Sequence, residues 1–270
     1  MKILIFCDIY GRIGRTAFLQ LLPSLKQTYS PDCIIANIDN ISSGRGAIEE
    51  HIRILEKSGV DVMCSGDHFF DNETDLQEYM ANKDCNLIRP ANFYEVSGLS
   101  VMGKGYKIIE KKWKKIAVIH LMGQIFMKYE VYNPFLKLQE LLELPEIKSS
   151  DVVIVDFHKE ATSEVWAMGR IFDGKVSVVY GTHTHIQTND DEILPKGSGF
   201  ISDVWMCWPK NSVIWASLDS VKWRFMTWLT KGKIVQSLEK DYVIQGLFVE
   251  THENDRTTLH IEKIKLVWTL

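Results

Sequence analysis

Residues 2–8 read KILIFCD: Lys2 and Asp8 bracket five consecutive apolar residues. A strand wetted on one face alternates apolar and polar residues, whereas one covered on both faces is apolar throughout. The run therefore reads as a buried strand that belongs in a parallel sheet and ends on an acid. Working outward, residues 15–27 read as a helix with Leu19, Leu22 and Leu25 on one face, and residues 32–38 as a second strand. A helix at 47–57, a strand at 60–64 and a polar helix at 73–80 follow. A β-α-β-α-β order needs crossover helices between parallel strands, which makes the fold class α/β.

The middle of the chain, residues 99–120, has the marks of a hairpin, with Gly103 and Gly105 as punctuation and a charged turn at 111–115. A helix is expected at 134–144 with Pro134 in its first turn. Next come strand 151–156, helix 162–172 and strand 175–180, then strands 200–204, 242–251 and 257–268, the last two antiparallel. No repeat, low-complexity linker or composition break divides the chain, so residues 1–270 are expected to form one domain.

With 46% hydrophobic and 24% charged residues, the chain has the makings of an ordinary core. A net charge of -4 argues against a broad nucleic-acid surface but not against a nucleotide substrate, since bound cations supply positive field locally. No run reaches the roughly 20 apolar residues needed to cross a bilayer. The N-terminus lacks the form of a signal peptide. Five cysteines with no C-x-x-C pair are expected to be free thiols, of which Cys7, Cys33 and Cys64 belong to apolar runs. A cytoplasmic location is the expectation.

Polar residues follow the strands. Asp8 ends KILIFCD; Asp39 and Asn40 follow CIIANI; Asp67 and His68 follow VDVMCSG; His158 follows VVIVDF; His183 and His185 follow VSVVYGT. Singly, such an aspartate is usually a turn residue and such a histidine an ordinary surface group. Together, at five strand ends, they converge on the edge where open α/β sheets carry their sites. Carboxylate, amide and imidazole without thiolate suit hard or borderline cations. The spacing of His183 and His185 puts both rings on one side of an extended segment. The donors outnumber what one tetrahedral ion needs, so two adjacent ions sharing a carboxylate fit better, an arrangement suited to displacement at phosphorus. His120 ends the strand KKIAVIH and is expected to border the site, whereas His51, His252 and His260 read as structural. The chain contains no G-x-G-x-x-G, no G-x-x-x-x-G-K-[ST] and no G-x-S-x-G, which argues against dinucleotide, P-loop and serine-hydrolase sites.

The segments FCDIYGRIGR, IDNISSGRG, SGDHFFD, RPANF, DFHKEATSE, GTHTHIQT and ILPKG, spread up to Gly197, resemble the YmdB-like branch of the calcineurin-like metallophosphoesterases. The resemblance implies a sandwich of two mixed β-sheets flanked by helices and a dimetal site, iron being the expected metal and manganese or zinc the alternatives. It implies that Asp8, Asn40 and His185 hold one ion and Asp67, His158 and His183 the other, with Asp39 between them. It also implies that His68 contacts the phosphate and, after attack by a metal-bound hydroxide, protonates the leaving oxygen. The implied substrate is a small phosphodiester or nucleotide, 2′,3′-cyclic nucleotides in particular; a homo-oligomer is compatible with the sequence.

Several positions depart from that pattern. Asp39 stands for the usual Glu, Asp67 for Asn, Ile38 for Gly and Ser43 for His. His120, Met122 and Gln124 replace an N-L-Q-G-R pattern. Trp205, Trp208 and Trp215 occupy a stretch that is glycine-rich in relatives, and packing is the role expected of them. Two alternatives stand beside the phosphodiesterase: a metal-binding regulatory protein with reduced or lost catalysis, and a phosphomonoesterase.

Overall fold

The computed structural model describes residues 1–95, 101–204, 206–229, 232–252 and 255–269. The chain begins with β1 (Lys2–Phe6), α1 (Gly11–Tyr29), β2 (Cys33–Asn37), α2 (Glu49–Ser58) and β3 (Val62–Cys64). A 3-10 turn, Phe69–Asn72, then leads into α3 (Glu73–Ala81), β4 (Leu87–Ile88), β5 (Tyr106–Lys111) and β6 (Lys114–Met122). Next are α4 (Pro134–Leu142), α5 (Pro145–Lys148), β7 (Val152–His158), α6 (Thr162–Phe172), β8 (Val178–Thr182), β9 (Glu192–Ile193) and β10 (Gly199–Ile201). The last elements are β11 (Trp208–Pro209), α7 (Leu218–Thr227), β12 (Asp241–Thr251) and β13 (Thr258–Thr269).

These strands form two mixed sheets. The first runs β11-β12-β1-β2-β3-β4 with β13 also paired to β12; the second runs β5-β6-β7-β8-β10-β9. As the crossovers require, β1, β2, β3 and β4 are parallel, and so are β6, β7, β8 and β10. The expected antiparallel pair is β12 with β13.

The continuous apolar run of KILIFCD is explained by two cores. Ile3, Ile5 and Cys7 lie between the sheets with Cys33, Ile35 and Val62, facing Val118, Ile154 and Val178 of the second sheet. Leu4 and Phe6 point the other way, onto Phe18, Leu22 and Leu25 of α1. The second sheet repeats the pattern, Val153 and Val155 packing outward on Leu138 of α4 and on Val165 and Met168 of α6. Cys7, Cys33 and Cys64 are buried, and none of the five cysteines is in a disulfide. Among the described residues, no helix is long and apolar enough to cross a membrane.

Some boundaries differ from the sequence expectation. The hairpin spans β5 and β6 and closes at Lys112 and Trp113, both with positive φ, as a two-residue turn of the I′ type demands. Residue 99, where that region was expected to begin, lies outside the described residues. Helix α1 starts at Gly11, whose amide is tied to the Asn40 carbonyl at 3.1 Å. Helix α7 was not anticipated, because most of its apolar residues face outward and only Val221 is buried. The two-residue strands β4, β9 and β11 are too short to leave a pattern.

Gly181 in β8 fixes the approach of the segment after β10. A Cβ there would collide with the Ser202 carbonyl, where Val204 N donates to Gly181 O at 3.0 Å. Gly181→Ala is expected to destabilise the fold by about 1–3 kcal/mol or more, read from the urea midpoint. An unchanged midpoint would show that the two segments part without cost.

Candidate metal centre

All seven candidate ligands sit where the sequence places them, at the C-terminal ends of parallel strands. Asp8 follows β1, Asp39 and Asn40 follow β2, and Asp67 follows β3 in the first sheet. His158 is the last residue of β7, and His183 and His185 follow β8 in the second. The strands are therefore neighbours within each sheet, and the site spans the two sheet edges. Asp8, His183 and His185 have φ of 43°, 95° and 63°. Non-glycine residues in this region carry strain of roughly 1–3 kcal/mol each, which persists where the surroundings over-determine it and clusters at functional sites.

One group is Asp8, Asn40 and His185. Asp8 accepts from the Asn40 backbone at 3.1 Å and from its Nδ2 at 2.8 Å, and its Oδ2 also meets His185 Nε2. A half-turn of the amide exchanges Nδ2 for Oδ1 at that position. The second group is Asp67, His158 and His183, whose donor atoms lie within 4.8 Å of one another. His158 Nε2 is 3.2 Å from Asp67 and 3.6 Å from Asp39, and His183 Nδ1 is 3.6 Å from Asp67. Asp39 thus lies at the second group, and its carboxylate accepts from the His68 amide at 3.1 and 3.3 Å. The His68 ring is partly exposed, with Nδ1 2.6 Å from Asp71.

The charges do not balance. Asp8, Asp39 and Asp67 are buried, and among the described residues no lysine or arginine pairs with any of them. Burial, reinforced by the Asp67 and Asp8 carboxylates, pushes the Asp39 carboxyl well above the usual range. Burial also raises Asp67, but the hydrogen bond and charge of His158 outweigh it and hold that carboxyl below the usual range. Asp8 shows the same contest, won by His185. Burial and the charge of His158 depress His183 to about 3, whereas the Asp8 carboxylate overcomes burial and raises His185. A buried carboxylate left without a counter-charge is the setting that a cation relieves. The donor set fits such ions.

Further layers hold the donors. His158 Nδ1 is 3.0 Å from Thr182 Oγ1, which donates to buried Asp156 at 2.9 Å. That chain fixes the tautomer and leaves Nε2 facing Asp67. Thr184, between the two histidines, donates from its backbone and hydroxyl to Asp203, which also accepts from buried Lys159 at 3.1 Å. Gly66 has no room for a side chain: a Cβ would run into the His158 ring and come within 2.7 Å of Asp39 Cγ.

Sequence reading missed Asp71, Glu160 (3.2 Å from His183 Nε2), Thr182, Lys159 and Asp203. Asp71 and Glu160 stand in the quoted segments SGDHFFD and DFHKEATSE, so position within a motif was the available signal. His120 borders the site as expected, from behind: it is wholly buried, its ring edge-on to that of His158 at 6.1 Å between centroids and its Nδ1 3.5 Å from Asp156. The strand continues to Met122, so His120 lies short of its end. His51 is structural as expected, with Nδ1 2.9 Å from Ser42 Oγ. Trp208 is buried and Trp215 stacks on Tyr10 at 4.9 Å and 11°; Trp205 lies outside the described residues.

The family model for YmdB-like protein matches residues 4–264. The chain is 35% identical over 264 residues to the 2′,3′-cyclic-nucleotide 2′-phosphodiesterase of Bacillus subtilis (strain 168), covering 98% of this chain and 96% of that protein. The crystal structure of a novel phosphatase from Mycoplasma pneumoniae superposes with a TM-score of 0.87 at 32% identity, over 100% of this chain and 94% of the other. The calcineurin-like phosphoesterase YfkN from Bacillus subtilis shares the fold, with a TM-score of 0.60 at 12% identity over 100% and 90% of the two chains.

Asp39 gives the charge argument a direct test. Its native pKa is raised, so in the metal-free protein its contribution to stability is full below the unfolded value of about 3.9 and is lost as pH rises through the native value. At neutral pH, metal-free Asp39→Asn should be more stable than the parent by about 1–2 kcal/mol, or roughly 2–6 °C in Tm. With metal added the order should reverse, and metal uptake by the parent should release protons in calorimetry across two buffers. An unchanged metal-free Tm with a full metal response would remove Asp39 from this role.

Proposed function

Because this chain belongs to the YmdB-like protein family, we propose that it is a cytoplasmic dimetal phosphodiesterase for small nucleotide diesters, 2′,3′-cyclic nucleotides foremost, built as one domain over residues 1–270. Its membership and calcineurin-like fold make it a phosphoesterase. The observation that carries the finer reading is the convergence of three buried carboxylates with three imidazoles and no paired lysine or arginine among the described residues. The relative's substrate supplies the nucleotide class. Iron is the proposed metal, with manganese and zinc as alternatives, the donors being nitrogen and oxygen only.

In this reading Asp8, Asn40 and His185 hold one ion, Asp67, His158 and His183 the other, and Asp39 stands between. When bound, such a pair supplies positive charge for the phosphate oxygens and acidifies the attacking water. The protein's residues do the rest. Asp156 and Thr182 keep His158 in one tautomer, and Asp203 anchors Thr184 so that its two flanking histidines keep their strained backbone. Asp71 holds Nδ1 of His68, which leaves Nε2 to hand a proton to the departing ester oxygen.

A second reading, metal binding with reduced catalysis, rests on Asp67. Its carboxylate stands where the resemblance leads one to expect an amide, adding negative charge and removing a donor for the phosphate. A phosphomonoesterase would be separated by a panel of mono- and diesters.

His68→Ala should lower turnover of 2′,3′-cyclic AMP by about 10²–10⁴-fold with metal content unchanged. Equal loss of metal would make His68 a ligand instead. Asp67→Asn should alter turnover by less than about tenfold if the native residue serves catalysis. A gain of two orders of magnitude or so would favour the second reading.

A further inference from the structure

The outward face of α7 is apolar. Leu218, Trp223, Phe225 and Met226 are 57%, 52%, 64% and 76% exposed, and Trp228 and Leu229, just past the helix, are 86% and 50% exposed. Isolated exposed hydrophobics are ordinary; six within twelve residues form a patch that soluble proteins usually cover. Together they leave on the order of 800 Å² open, about what each partner contributes to a standard-size interface.

We propose that this face is where a second copy of the chain docks, in a two-fold pairing of the α7 helices. The charges on the helix fit that occupant. Asp219 and Lys222 lie three residues apart and therefore on neighbouring parts of one helical face. Both are exposed, and among the described residues neither makes an ion pair within the chain. In an antiparallel pairing about a two-fold axis, Asp219 of each copy meets Lys222 of the other, so the surface is complementary to itself. The segments that flank the helix are tied to the rest of the chain. Ser217 N donates to Val235 O at 2.8 Å, and Trp215, two residues earlier, stacks on Tyr10 next to the Asp8 strand end.

Sedimentation equilibrium of the metal-loaded full chain tests this. The parent should give about twice the 31.1 kDa chain mass at tens of micromolar. The double variant Phe225→Glu with Met226→Glu should sediment as a monomer with unchanged circular dichroism and Tm. Charge reversal gives the second arm, which keeps the test decisive should that variant fold poorly. Lys222→Asp should weaken the dimer about tenfold or more, and adding Asp219→Lys should return the constant to within about threefold of the parent. A monomeric parent, a dimer indifferent to the double substitution, or a monomer that instead co-sediments with anionic vesicles would each overturn the proposal.

Discussion

Three buried carboxylates at the ends of adjacent parallel strands, offset by imidazoles and, among the described residues, by no lysine or arginine, are the constraint from which the rest of the site follows. Asp8, Asp39 and Asp67 are each nearly inaccessible. Histidines offset Asp8 and Asp67, whereas burial and the neighbouring Asp67 and Asp8 carboxylates push the Asp39 carboxyl well above the usual range. Charge of this kind is costly in a dry interior unless it is paired, so the arrangement suits a metal cation.

The scaffold is built to hold that charge in place. Each sheet edge contributes part of the donor set, and packing between the edges, with Ile3, Ile5 and Val62 against Val118, Ile154 and Val178, sets their separation. Close to the donors the tolerances tighten. Gly66 lets the His158 ring and Asp39 approach, Thr182 and Asp156 orient that ring, and Lys159 with Asp203 pins the loop carrying His183 and His185. The positive φ at both of those histidines is maintained by this support.

Much of this is legible in the sequence because burial leaves a mark. KILIFCD is apolar throughout since both of its faces are covered, and an acid directly after such a run lies at a sheet edge. The donors could be read because each follows a strand. What could not be read depends on distance in space. Asp203 reaches Thr184 across 19 residues, and Lys159 reaches Asp203 across 44, with no periodicity to announce either bond. His120 borders the site from behind, against the His158 ring, because its strand runs on to Met122. Helix α7 escaped notice because its apolar face is turned outward, the reverse of the pattern that marks a core helix.

An anomalous-difference map from a crystal of the metal-loaded protein tests the proposed dinuclear centre most directly. Two peaks are expected, one beside Asp8, Asn40 and His185 and one beside Asp67, His158 and His183, with Asp39 between them. A single peak, or peaks remote from these side chains, would contradict it.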